Sequence, residues 1–144
     1  LESAGLSVHA PLPGCEGTVA EELLRPHKSY AAVCLALARA GVVNGFAHIT
    51  GGGLPENVER ILPEGCRASI RTESWEPPAV FGTIQDAGNI DRAEMFRVFN
   101  MGIGMVVVVP ANERDAALQR VRDLGEPGVV IGDVVCGEPG VDLI

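Results

Sequence analysis

The 144 residues carry 11 Lys and Arg against 19 Asp and Glu, giving a net charge of −8 and a pI near 4.8; 47% are hydrophobic, 21% charged, and the mean hydropathy is +0.22. A chain of this size and apolarity can bury one core and is not compositionally disordered. Its acidity argues against a non-specific nucleic-acid surface or an anionic membrane, and no apolar run, Met105–Val109 included, approaches the roughly 18 residues a membrane span needs.

In chain order, residues 1–5 open without a signal-peptide pattern or an initiator Met and read as the tail of an element begun earlier, so a fragment of a longer protein is expected. Residues 6–17 hold two prolines and two glycines and read as a surface loop. Thr18 with Glu21 has capping-box spacing for a helix over Val19–Leu24, interrupted at Pro26 and resuming to Gly41. Tyr30, Val33, Cys34, Leu37 and Ala38 supply its packing stripe. A strand over Asn44–Thr50 leads through Gly51-Gly52-Gly53 into a short helix from about Pro55 to Leu62, ended by Pro63. Arg67–Arg71 alternates as a half-exposed strand. Pro77-Pro78 open a helix to about Ala87, and Asn89 or Asp91 starts another with Met95, Phe96 and Phe99 on its apolar face. A second glycine cluster, Gly102-Ile103-Gly104, feeds a strand over Val106–Val109; Asn112 caps a helix over Glu113–Leu124; strands follow at Val129–Val135 and Val141–Ile144. Five strands and five helices in mixed spacing predict a single domain, residues 1–144: an α/β sandwich with a mixed sheet covered by helices.

The Gly51–Gly53 turn admits two readings. Leu54 is a poor N-cap, so the helix start behind the glycines presents amides without an evident side-chain acceptor, which suits a phosphate; equally, such turns simply let a strand and a helix approach closely. A phosphate here would rely on backbone amides, a local basic residue, a metal, or groups from another domain or subunit. His48 shares a strand face with Phe46 and Thr50, opposite Ala47 and Ile49, as a buried hydrogen-bonding residue or as a phosphate or acid–base group. Gly102-x-Gly104 precedes a strand and lacks a third glycine, which excludes a dinucleotide fingerprint. Asn100 beside it can contact a ligand or form the turn. The two glycine clusters can face one cleft if their strands are antiparallel neighbours. His9 and His27 have no partner at metal spacing and read as surface residues, Asp91 and Glu94 as solvated charge, and Trp75 as a hydrophobic staple for the helix that follows. Cys15, Cys34, Cys66 and Cys136 form no CxxC pair and read as reduced thiols of a cytosolic chain, behaving as small hydrophobes. No HExxH, P-loop lysine, carboxylate dyad or Ser–His–Asp order is present, so the residues supply no self-contained catalytic set or metal site.

Taken together, His48-Ile49-Thr50-Gly51-Gly52-Gly53 with Glu56-Asn57 and Arg60, then Glu94-Met95 leading to Phe99-Asn100-Met101-Gly102-Ile103-Gly104-Met105, resemble the C-terminal half of the aminoimidazole ribonucleotide synthetase (phosphoribosylformylglycinamidine cyclo-ligase) family. Leu23-Leu24-Arg25-Pro26-His27-Lys28-Ser29-Tyr30 is similar to the family's Leu-Leu-x-Pro-Thr-x-x-Tyr stretch, with His27 at the threonine position, and the likeness extends over roughly residues 3–144. The resemblance implies a cytoplasmic, homodimeric enzyme of purine biosynthesis that uses ATP and Mg²⁺ to close the imidazole ring of formylglycinamidine ribonucleotide. It implies that an N-terminal domain, absent here, carries most nucleotide contacts and the dimer interface. His48, Thr50, Gly51, Gly52 and Gly53, with Asn57 behind them, would line the substrate cleft, and Asn100, Gly102 and Gly104 its facing edge. Alone, the chain is then expected to be inactive. Competing readings are another enzyme of the superfamily (selenophosphate synthetase, thiamine monophosphate kinase or hydrogenase-maturation type) and a non-catalytic anion-binding or assembly module.

Overall fold

The computed structural model describes residues 5–144, so the reading of residues 1–4 lies outside the described part. Among the described residues there are five strands and six α-helices: α1 (Val19–Leu23), α2 (Ala31–Arg39), β1 (Gly45–His48), α3 (Gly53–Glu59), β2 (Cys66–Ile70), α4 (Ala79–Gly88), α5 (Arg92–Val98), β3 (Met105–Val108), α6 (Arg114–Asp123), β4 (Gly132–Cys136) and β5 (Val141–Leu143). This is the expected α/β class, but the strands divide into two sheets. β1 pairs with β3 antiparallel, while β2 lies between antiparallel β4 and parallel β5.

The local rules explain the helix starts. Thr18 accepts from Glu21 N–H and the Glu21 carboxylate accepts from Thr18 N–H, a complete capping box at α1. Asn112 does not cap α6: it lies inside a short 3₁₀ turn, Ala111–Glu113, and Glu113 occupies the N-cap position with no side-chain bond. Pro26 breaks the helix after α1, and α2 starts only at Ala31, behind Tyr30 at its N-cap. α3 begins at Gly53, ahead of Pro55, because Gly52 takes a left-handed N-cap conformation that needs no Cβ.

Two clusters of buried side chains flank the β1–β3 ribbon. Ala47 and Ile49 face Leu54, Val58, Met95 and Phe96 of α3 and α5, with Ala68 and Ile70 of β2 completing that core. Phe46 and Val107 pack with Leu37 of α2 and Ala117 of α6 on the other side. The alternation read from the sequence for β1 thus holds, with Ala47 and Ile49 inside.

The Ile49 N–H donates to Gly104 O at 3.0 Å and Ala47 lies opposite Val106. In an antiparallel ladder this turns the backbone groups of Met105 and Val107 away from β1. Likewise Arg71 N–H donates to Ile131 O and Gly137 N–H to Gly65 O, so Gly132 and Val134 direct theirs away from β2. Both outward edges border one groove of about 490 Å³, lined by Met105–Val109, Ala117, Val121 and 128–134. Val134 shares the sheet face of buried Ala68 yet is 42% exposed.

Candidate functional site

The β1–β3 pairing places the two glycine clusters side by side. His48, the last residue of β1, is opposite Met105, the first of β3. The backbone approach at Gly104 is close: a methyl group there would overlap the Tyr30 hydroxyl. Tyr30, read from sequence as part of a packing stripe, stands at the N-cap of α2 and seals this junction.

His48 is exposed, not a buried hydrogen-bonding residue, and its Nε2 lies 2.9 Å from Nε2 of His27. At that separation one ring nitrogen donates and the other accepts, so the pair holds a single proton between them. Tyr30 completes a three-ring cluster, 5.9 Å from the His27 centroid and 6.2 Å from that of His48, edge-on to both. His27 is exposed, as read from the sequence, and its ring forms part of this rim; a separation of 21 positions conceals the pairing from any spacing rule. Lys28, beside it, pairs with Glu126 and ties the approach to α2 to the segment before β4.

Asn57 organises the first turn. Its side chain is buried, and Nδ2 donates to the carbonyls of Thr50 at 3.3 Å, Gly51 at 3.2 Å and Gly53 at 2.7 Å, while Oδ1 accepts from Arg60 Nη1 at 3.2 Å. Asn57 is a positioning residue, with its amide nitrogen already turned to backbone. Gly53 is also inward: it is buried, its N–H donates to Thr50 O at 3.0 Å, and a Cβ would overlap the Phe96 carbonyl at the end of α5. Thr50 and Gly51 are exposed and Gly52 half-buried, and the amides of Gly51 and Gly52 have no acceptor among the described residues. α3 has no side-chain cap, but the Glu56 carboxylate folds back against Gly52 and is held by Arg60 Nη2 at 3.3 Å. An incoming anion must displace that carboxylate.

In the second turn, the Asn100 Oδ1 accepts from Gly102 N–H at 2.9 Å, the local bond of an Asx turn. Trp75 is no helix staple: its Nε1 donates to Met101 O at 2.8 Å and its ring stands edge-on to Phe96. Asn100 makes no hydrogen bond to Gly51–Gly53 among the described residues; the link between them is α5, which seats Phe96 on Gly53 and ends just before Asn100. Glu94 pairs with Arg97 at 2.7 Å and is solvated, as expected. Among the described residues no group of three or more His, Cys, Asp or Glu converges on one point.

Residues 1–143 match the family described as AIR synthase related protein, C-terminal domain. The chain belongs to that family. It is 46% identical over 143 residues to the phosphoribosylformylglycinamidine cyclo-ligase of Geotalea uraniireducens, covering 99% of this chain and 41% of the relative. It is 49% identical over 147 residues to that of Citrifermentans bemidjiense, covering 100% and 42%. The chain therefore spans about two fifths of the length of these relatives. Among solved structures it resembles the hydrogenase maturation protein HypE of E. coli, with a TM-score of 0.61 at 22% identity over 96% of this chain and 42% of that one. Thiamine-monophosphate kinase of Stenotrophomonas maltophilia gives 0.57 at 18%, covering 85% and 37%. At these identities the likeness establishes the shared fold alone.

Proposed function

We propose that this chain is the C-terminal domain of a two-domain, ATP-dependent cyclo-ligase that converts formylglycinamidine ribonucleotide to aminoimidazole ribonucleotide, and that it forms one wall of the substrate cleft. Identity near one half to phosphoribosylformylglycinamidine cyclo-ligases over almost every residue is the observation that carries this reading. Thr50, Gly51 and Gly52 offer a hydroxyl and unpaired amides to a phosphate, with His48 and His27 at the rim to share a proton with a substrate nitrogen or oxygen. Gly53, Asn57 and Gly104 hold that rim in shape, and Asn100 with Gly102 forms the neighbouring edge. ATP, when bound with Mg²⁺, supplies the phosphoryl group that activates the formyl oxygen. In this proposal nucleotide and metal are held mainly by the N-terminal domain.

The open groove between β3 and β4 is where we place the N-terminal portion of the longer chain. Its outward strand edges suit main-chain pairing, and more than half of each relative's length lies beyond the region matched here. Homodimerisation and a cytoplasmic location belong to the same reading, and no described helix is long and apolar enough to cross a membrane.

The test is an ATP-dependent cyclisation assay on residues 1–144 and on the complete chain. The complete chain is expected to turn over and residues 1–144 are not. Turnover by residues 1–144 alone would overturn the division of labour, and failure of the complete chain with this substrate would overturn the substrate.

A further inference from the structure

Cys66 and Cys136, which are 70 positions apart in sequence, are direct cross-strand partners at one end of the β2–β4 ladder. The ladder bonds identify the kind of pair. Gly137 N–H donates to Gly65 O at 3.0 Å and Arg71 N–H to Ile131 O at 2.7 Å, so the hydrogen-bonded pairs alternate as 65/137, 67/135, 69/133 and 71/131. Cys66/Cys136 is then a non-hydrogen-bonded pair, the kind whose Cα atoms lie about 4.5 Å apart with both side chains on one face. A disulfide needs Cα atoms within about 4.4–6.8 Å, so the two sulfurs can bond without moving the strands.

Both thiols are free, Cys136 is exposed and Cys66 half-buried. Cys136 is the last residue of β4 and opens onto the solvent-facing Glu138-Pro139 turn, where a small oxidant can reach it. Cys15 and Cys34 lie outside every strand and have no such partner in the ladder.

We propose that Cys66 and Cys136 are a thiol–disulfide modification site, closed by a small-molecule disulfide of the glutathione class and reopened by the corresponding thiol. In the first step the Cys136 thiolate attacks one sulfur of the oxidant; a Cys136–glutathione bond forms, the oxidant's S–S bond breaks, and the departing glutathione thiolate takes up the proton that Cys136 lost. In the second the Cys66 thiolate attacks the Cys136 sulfur, expelling the second glutathione thiolate, which takes the proton from Cys66. Two protein thiols are oxidised and one disulfide is reduced to two thiols. The bond ties β4 to β2 and closes a covalent loop that contains α4, α5, the Asn100–Gly104 turn, β3 and α6. Cross-linking so long a loop restricts the unfolded chain more than the folded one.

The experiment incubates the 144-residue protein with reduced and oxidised glutathione at graded ratios and reads intact mass and the disulfide-linked peptides. Loss of two hydrogens, a linked peptide joining Cys66 to Cys136, and a Tm raised by roughly 5–10 °C are expected, all reversed by excess thiol. Cys66→Ser should stop at a glutathione adduct on Cys136, and Cys15→Ser and Cys34→Ser should behave as the parent. A stable adduct on Cys136 in the parent without ring closure would overturn the proposal. So would ring closure that survives Cys136→Ser, or the absence of any reaction at either thiol.

Discussion

At Gly53 the sequence, the turn and the packing meet in one residue. Its φ of +58° is left-handed and its Cα rests against the Phe96 carbonyl of α5. Gly53→Ala should therefore lower stability by about 2–4 kcal/mol, the sum of backbone strain and overpacking, as a shift of the urea midpoint. An unshifted midpoint would show that the turn can relax without α5. Asn57 acts at the same turn by a different route. Asn57→Ala removes three hydrogen bonds to this turn, although Thr50 O keeps the Gly53 N–H, and should cost about 2–3 kcal/mol, with amide exchange accelerating first at Gly53. At the other cluster, Gly104→Ala pushes a methyl into the Tyr30 hydroxyl. If that overlap is the cause of its loss of stability, the Tyr30→Ala/Gly104→Ala pair will be less destabilised than the sum of the single changes. Additive losses would place the cause elsewhere. Asn57 entered only through the family resemblance, whereas the glycine run was legible in the sequence because it answers a local backbone need. His27 against His48 was not, since no local pattern couples residues joined only by the docking of the α2 approach onto the end of β1.

At the scale of elements, what the sequence discloses depends on how far the deciding partner lies. The α1 capping box is complete within four residues and was readable. Strands β1 and β2 showed in their alternation, because each buries one face. Their division between two sheets was not readable, since pairings such as Arg67 with Val135 or Gly45 with Val108 are fixed by distant segments. Asn112 had the composition of a cap, yet the Glu113 N–H to Pro110 O bond draws it into the preceding turn. The short final strand β5 is held to β2 partly by Arg67 and Asp142. The Arg67 guanidinium hydrogen-bonds the Asp142 carboxylate and holds its pKa below the usual carboxylate value. A carboxylate depressed in the folded state contributes stability that is present above its unfolded pKa and lost as pH falls through the folded one. Parent and Asp142→Asn should thus differ in Tm near neutrality and converge as the pH falls below the depressed pKa of Asp142; a difference independent of pH would rule out the charge as its source. The pair is exposed to solvent, so added salt should shrink the difference too.

For the whole molecule, the decisive feature is that two small sheets and their helices put a rim of His48, Thr50 and Gly51–Gly52 next to the Gly104 turn while leaving the β3 and β4 edges open. An acidic chain with no cation cluster among its described residues forms, in the function proposed, a wall that a second domain completes. The most direct measurement is kcat/KM for cyclisation by the complete chain carrying His48→Ala, alongside a circular dichroism spectrum to verify the fold. Loss of a group that moves a proton at the rim should lower kcat/KM by about 100-fold or more, with the spectrum unchanged. A kcat/KM equal to the parent's in a folded protein would contradict a cleft bounded by this rim.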